Sequence, residues 1–131
     1  MAEEAVKVLV VEDEIALLDT YADILVNEGY DALKASDGYA GLEMLASYRN
    51  EIKLVFLDLM MAGIDGLEVL RRIKADKEKY GSPPVVVLTN MTSERVIKEA
   101  FMIGAVSYLI KTELQASDMA NEAKEMLESK N

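Results

Sequence analysis

The sequence predicts a doubly wound α/β fold, in which a parallel five-stranded sheet carries helices on both faces. Two observations support this prediction. Five short apolar runs alternate with longer segments whose apolar residues recur at helical spacing. Four of the runs are almost continuously apolar, as expected for strands covered on both faces. The predicted strands are Val6–Val11, Asp31–Ala35, Leu54–Leu57, Val85–Leu88 and Val106–Ile110.

Five helices are predicted between and after these strands, because apolar residues recur there every three or four positions. Gly29 follows the first helix at a position suited to a left-handed C-cap. The last helix repeats its apolar residues from Ala116 to Leu127. The apolar stripe of the first helix consists of Ile15, Leu18, Ala22 and Leu25. The starting residues of the next three helices are Asp37, Asp65 and Ser93.

Composition limits the chemistry that the chain can perform. The formal net charge of −10 argues against direct binding to nucleic acid or to an anionic membrane. The chain contains no cysteine and no histidine, which excludes thiol and imidazole chemistry. Carboxylates, hydroxyls, lysine and a hard cation remain. The N-terminus does not resemble a signal peptide and no stretch is long enough to span a membrane, so a cytoplasmic protein is expected.

Asp58 is unusual in this pattern, because its carboxylate ends the apolar run Leu54–Leu57 and a buried carboxylate without a partner is costly. Candidate partners follow the other predicted strands. The carboxyl ends of parallel strands lie at one edge of the sheet, where doubly wound folds bind their ligands. The polar residues expected to meet at this edge are Glu12, Asp13, Asp58, Thr89 and Lys111.

Three of these residues have structural explanations when each is taken singly. Asp13 could N-cap the first helix, Thr89 could hydrogen-bond a local turn, and Lys111 could extend into solvent from a strand end. Their joint placement at one edge favours a shared functional site. Asp65, in contrast, is interpreted only as a helix cap.

The chain resembles the receiver domains of bacterial two-component response regulators, in particular the single-domain chemotaxis type. The resemblance rests on the order and spacing of motifs in the segments VKVLVVEDE, VFLDLMMAGIDG, VVVLTN and VSYLIKT. It extends over nearly the whole chain, so residues 1–131 are expected to form a single receiver domain. It also implies a flavodoxin-like fold with the strand order 2-1-3-4-5.

The resemblance implies a phosphorelay function. A histidine kinase or a phosphotransfer protein would donate a phosphoryl group to Asp58, in a reaction that requires Mg²⁺. Thr89 and Lys111 match the hydroxyl and the lysine of the family, and both side chains can hold phosphoryl oxygens. Because phosphoryl transfer depends on positioning and charge neutralisation, these residue types suit the reaction.

Glu12 and Asp13 match the acidic metal-binding pair of the family. Carboxylates gathered at one edge repel each other, and Mg²⁺ relieves that repulsion while binding oxygen ligands and water. Glu12 has the longer side chain and is expected to act through water. The expected direct ligands are the carboxylates of Asp13 and Asp58 and the backbone carbonyl of Met60.

Tyr108 matches the aromatic switch position of the family. Phosphorylation is expected to draw the Thr89 hydroxyl inward, so that the Tyr108 ring fills the vacated space and the loop 90–92 shifts. The surface of the fourth helix, fifth strand and fifth helix would then recruit an unknown downstream protein. No output domain follows the last helix, so the chain is expected to act on a separate protein, as a monomer or weak homodimer, or to be a piece of a larger regulator.

Two positions depart from the family pattern. Ala62 replaces a usual proline, which removes a fixed φ and predicts a more mobile loop after Asp58. Thr112 replaces a proline that usually follows the lysine through a cis bond. A cis bond before a residue other than proline costs about 2.5–4 kcal/mol, so the Lys111–Thr112 bond is either trans with a differently aimed lysine or cis under strain.

The residues argue against two other classes of function and leave a third as an alternative. A phosphatase of the haloacid dehalogenase type requires a second aspartate two residues after the nucleophile, where Met60 stands. A flavin-binding module requires a phosphate-binding loop after the first strand, where Glu12, Asp13 and Glu14 would repel a phosphate. A degenerate receiver that serves only as a protein-interaction module remains the alternative.

Overall fold

The computed structural model describes residues 4–90 and 94–128, and five parallel strands form one sheet within these ranges. The strands are β1 (Lys7–Val11), β2 (Asp31–Ala35), β3 (Ile52–Asp58), β4 (Val85–Thr89) and β5 (Ser107–Ile110). Their order is β2-β1-β3-β4-β5. The predicted strands and the strand order are thus confirmed, with ends that differ by at most two residues.

Six α-helices connect and follow the strands in the described ranges, and a short 3-10 helix, Lys111–Glu113, follows β5. The α-helices are α1 (Ile15–Asn27), α2 (Gly38–Ser47), α3 (Gly66–Ala75), α4 (Lys77–Tyr80), α5 (Glu94–Ile103) and α6 (Ala116–Glu128). The expectation of five helices is corrected by α4, a single turn capped by the side chain of Asp76 and too short to show helical periodicity. The predicted fourth and fifth helices are therefore α5 and α6. Ser93, the predicted N-cap, lies outside the described residues.

The predicted helix termini have the expected hydrogen bonds. Asp37 Oδ1 accepts from the N–H of Ala40 at 2.7 Å, and Asp65 caps α3 in the same way. After α1, Gly29 has a φ of +96°, and the N–H of Tyr30 donates to the carbonyl of Leu25. This Schellman arrangement ends the helix and turns the chain into β2.

The core has two halves, one on each face of the sheet. Alternate residues of a strand point to opposite faces, so Val8 and Val10 face α1 and α6, whereas Leu9 and Val11 face α2, α3 and α5. The central strands β1, β3 and β4 are almost entirely buried. A rigid double-sided core thus fixes the carboxyl ends of these three strands.

Two apolar segments are more exposed than the sequence predicts. Val106 and Tyr108 are 45% and 41% exposed, because β5 is the last strand in the order and one of its edges has no neighbour. Ile15 is 58% exposed at the first position of α1, so the buried stripe of that helix begins at Leu18.

No helix in residues 4–90 and 94–128 is both long enough and apolar enough to cross a lipid bilayer.

Candidate functional site

The predicted site lies at the point where the winding of the sheet reverses. β1 and β3 are neighbours in the sheet, with Val11 opposite Leu57, although β2 lies between them in sequence. Glu12 and Asp13 follow β1 directly, and Asp58 is the last residue of β3. Such a switch point leaves a crevice at the carboxyl ends of the strands, so the fold itself brings the three acids together.

The three acids form a compact cluster. One carboxylate oxygen from each of Glu12, Asp13 and Asp58 lies within 4.8 Å of the others. Glu12 is fully buried, Asp58 is 1% exposed, and Asp13 is half-buried. Asp13 does not cap α1, whose N-cap residue is Glu14. The structural interpretation of Asp13 is therefore wrong for this chain.

Lys111 supplies a positive charge to this cluster. Its Nζ lies 2.7 Å from Oε1 of Glu12 and 3.3 Å from Oδ2 of Asp58, and its side chain is only 6% exposed. The bond from Lys111 to Thr112 is trans. A trans bond therefore still aims the lysine at the acids, and the alternative of a solvated lysine is wrong.

The ionisation of the cluster reflects burial first. Burial raises the pKa of Asp58 to about 6, and the nearby charge of Glu12 adds to this effect. The N–H of Met60 and the ammonium of Lys111 oppose it by stabilising the carboxylate. Burial also disfavours the charge on Lys111, but Glu12 and Asp58 outweigh this cost, so the pKa of the lysine is raised.

The loop between β3 and α3 holds the acids through its backbone. The N–H of Met60 donates to Oδ1 of Asp58 at 3.1 Å, and the N–H of Ala62 donates to Oδ2 of Asp13 at 3.2 Å. Met60 is 60% exposed, and its backbone N–H contacts the site through Asp58. No pattern in the sequence predicts these two donors, since loop conformation has no periodic signal.

Gly66 allows this loop to fold back onto β3. Its N–H donates to the carbonyl of Leu59 at 3.1 Å. A Cβ at this position would overlap the carbonyl of Asp58 and lie 2.6 Å from Cα of Leu59, so a larger residue would displace the end of β3. The glycine directly after the cap Asp65 is the signal that the sequence offered for this close approach.

Thr89 and Tyr108 occupy different surroundings. Thr89 is fully buried at the end of β4, one residue beyond the partner of Asp58 in the sheet register. Tyr108 is 41% exposed on β5, and its ring lies nearly perpendicular to that of Phe101, with centroids 6.1 Å apart. Of the loop 90–92, which was expected to move with them, residues 91 and 92 lie outside the described residues.

The donor set of the cluster fits a hard divalent cation. Such a cation prefers carboxylate and carbonyl oxygens, and three carboxylates converge here. Oε1 of Glu12 is buried and has no well-directed hydrogen bond among the described residues, so its contact with Lys111 is an ion pair. Lys111 alone does not neutralise the three acids, and a cation would compensate the negative charge that remains on them.

These features define a doubly wound α/β domain with three converging carboxylates and a lysine at the switch point of its sheet. The family model for the response regulator receiver domain matches residues 8–124, and the chain belongs to this family. The resemblance inferred from the sequence motifs is thus confirmed.

Relatives and solved structures agree with this assignment. The chemotaxis protein CheY of Treponema pallidum (strain Nichols) is 33% identical over 107 residues, which cover 80% of this chain and 72% of that protein. The uncharacterized transcriptional regulatory protein YrkP of Bacillus subtilis (strain 168) is also 33% identical over 107 residues, which cover 82% of this chain but 43% of YrkP. The chain therefore spans less than half the length of this regulator.

Similar architecture is found in the CheY of the CheX-CheY-BeF3-Mg²⁺ complex from Borrelia burgdorferi. Its structure matches with a TM-score of 0.83 at 22% identity, over 92% of this chain and 88% of that chain. At this identity the similarity establishes the fold alone.

Proposed function

We propose that residues 1–131 act as one receiver domain, which accepts a phosphoryl group on Asp58 from a histidine kinase or a phosphotransfer protein. The observation that carries this proposal is the placement of the buried Asp58 carboxylate between two further acids and a lysine, at the switch point of the sheet. A carboxylate in that setting is a nucleophile with its charge partners already in position.

In the transfer step, one carboxylate oxygen of Asp58 forms a bond to phosphorus. The bond between phosphorus and the imidazole nitrogen of the donor breaks, and its electron pair stays on that nitrogen. The Met60 N–H holds Oδ1 and Lys111 contacts Oδ2, so the carboxylate is oriented before the donor arrives. Such positioning, rather than further covalent chemistry, is what phosphoryl transfer requires of a protein.

Mg²⁺ is the cation proposed for the acidic cluster, with the carboxylates of Asp13 and Asp58 and the backbone carbonyl of Met60 as ligands and Glu12 acting through water. When bound, Mg²⁺ neutralises the negative charge that phosphoryl oxygens bring to the site. The convergence of the three carboxylates supports this assignment.

Lys111 and Thr89 are proposed to stabilise the transferred group. Lys111 is a flexible point charge whose Nζ already contacts Asp58, so a short movement would bring it to a phosphoryl oxygen. The hydroxyl of Thr89 can donate to another oxygen. Both residues lie at the carboxyl ends of neighbouring strands, which supports a joint role.

Incubation with MgCl2 and acetyl phosphate tests the function directly. The wild-type protein should gain the mass of one phosphoryl group, located on Asp58, whereas Asp58→Asn should gain none because the amide is not a comparable nucleophile. Asp23→Asn, an exposed position of α1, makes the same change in charge and should be phosphorylated like the wild type. A folded wild type without an adduct would instead establish the degenerate, interaction-only receiver.

The switch is proposed to couple Thr89 to Tyr108. Phosphorylation would draw the Thr89 hydroxyl toward Asp58, and the exposed Tyr108 ring would leave Phe101 and turn inward. The surface formed by α5, β5 and α6 would change and bind a downstream protein. This surface exposes Phe101 and Met102, which makes it suitable for binding a partner.

Fluorescence can report this movement, because the chain contains no tryptophan. The emission of Tyr108→Trp should shift to shorter wavelength when beryllium fluoride and Mg²⁺ are added, since the ring becomes buried. Tyr48→Trp, at the end of α2, should not respond. An unchanged spectrum of Tyr108→Trp, or the same Tyr108 rotamer in structures with and without the phosphoryl mimic, would contradict the switch.

A further inference from the structure

The hydrogen bond from Ala62 to Asp13 joins two loops that are distant in sequence. Asp13 belongs to the loop between β1 and α1, and Ala62 belongs to the loop between β3 and α3. The backbone N–H of Ala62 donates to Oδ2 of Asp13 at 3.2 Å across 49 positions. This bond is a tertiary contact and not a local cap, so it restricts the orientation of the Asp13 carboxylate relative to Asp58.

The same loop also holds the second acid. The N–H of Met60 donates to Oδ1 of Asp58, two residues before Ala62. One short backbone segment therefore fixes two of the three carboxylates of the cluster. A carboxylate has two oxygens and about four acceptor positions, so a bond to Oδ2 of Asp13 leaves Oδ1 available to a cation.

Groups that orient a metal ligand have large effects on affinity, and loss of one costs about 10–100-fold. The orienting group here is a backbone N–H, which every residue except proline possesses. The side chain of Ala62 is exposed and not required for the contact. The identity of residue 62 therefore matters for one property, the presence of its N–H.

We propose that the backbone N–H of Ala62 is a positioning group for Asp13. Because proline has no backbone N–H, the site binds Mg²⁺ more tightly with alanine at position 62 than it would with proline. This inference rests on the proposed function, in which Asp13 is a metal ligand. The departure from the family pattern at Ala62 thus has a consequence beyond the loss of a fixed φ, because it provides a donor that holds the acidic cluster.

Calorimetric titration with MgCl2 alone tests the proposal. Ala62→Pro should weaken Mg²⁺ binding by about tenfold, whereas Ala62→Ser and Ala62→Gly keep the N–H and should bind Mg²⁺ like the wild type. Thermal melts without metal establish that each variant is folded. Equal Mg²⁺ affinity of wild type and Ala62→Pro would overturn the inference while leaving the proposed function intact, and a wild type that binds no Mg²⁺ would overturn both.

Amide hydrogen exchange provides a test that does not depend on the fold of the proline variant. In the wild type, the Ala62 amide should exchange slowly because its hydrogen bond protects it. Asp13→Ala removes the acceptor and should accelerate exchange at Ala62, but not at Met60, whose acceptor is Asp58. Unchanged exchange at Ala62 in Asp13→Ala would show that the bond does not form in solution and would overturn the inference.

Discussion

Replacement of Lys111 with methionine is expected to destabilise the metal-free protein by about 3–5 kcal/mol at neutral pH. Methionine keeps a flexible apolar stem but removes the ammonium that lies 2.7 Å from Glu12 and 3.3 Å from Asp58. Both carboxylates are almost fully buried, so two like charges would remain close together without a cation. Such a loss is a large part of the roughly 5–15 kcal/mol by which domains are stable.

Two measurements distinguish this cause from a packing defect. The destabilisation should shrink as the pH falls toward and below about 6, because protonation of Asp58 removes its repulsion with Glu12. Added Mg²⁺ should stabilise the variant more than the wild type, since the cation replaces the lost positive charge. Urea denaturation gives the free energies of unfolding in each condition.

Lys124→Met is the matched control, because Lys124 is exposed on α6 and its replacement makes the same change in net charge. Its free energy of unfolding should stay within about 0.5 kcal/mol of the wild type. If Lys111→Met were as stable as this control, Lys111 would not be compensating the buried acids, and the electrostatic description of the site would be wrong.

The placement of the site could be predicted because a simple rule connects sequence to position. Apolar runs that end in Glu12, Asp58 and Lys111 become parallel strands, and parallel strands end at the same edge. Each of these charged residues is costly to bury singly, and Lys111 compensates the two acids because it carries the opposite charge. The composition of the apolar runs and the residues that follow them were therefore sufficient to predict that these side chains meet.

Other features could not be predicted, because they depend on which elements become neighbours. The sequence of the run Val106–Ile110 resembles that of a central strand, but the strand order places β5 at an edge and exposes Tyr108. The donors at Met60 and Ala62 arise from loop conformation, which side-chain patterns do not encode. The trans isomer of the Lys111–Thr112 bond likewise depends on surrounding contacts, which the sequence does not show.

Asp58→Asn is expected to stabilise the metal-free protein near neutral pH, even though it abolishes the proposed phosphorylation. The pKa of Asp58 is about 6 in the folded protein, against 3.8 for an unperturbed aspartate. Between these values the folded state holds a proton that the unfolded state has lost. Folding stability therefore falls as the pH rises from 3.8 to about 6, and the loss is complete above that range.

The size of the effect follows from the two pKa values. One pKa unit corresponds to about 1.4 kcal/mol, so Asp58→Asn should gain up to about 3 kcal/mol above pH 6 and almost nothing below pH 3.8. Asparagine keeps an oxygen that can accept from the Met60 N–H, which limits the loss of other contacts. Millimolar Mg²⁺ should reduce or reverse the gain, because it stabilises the wild type through the Asp58 carboxylate.

Urea denaturation of wild type and Asp58→Asn in the presence of a chelator, across this pH range, measures the difference directly. Asp23→Asn makes the same change in net charge at an exposed position of α1, so it reports the general effect of charge on this acidic protein. A gain in stability that is independent of pH, or one that the control reproduces, would mean that ionisation of Asp58 does not destabilise the metal-free fold. The cluster would then need no cation to offset a buried repulsion, and the case for Mg²⁺ at this site would lose its energetic basis.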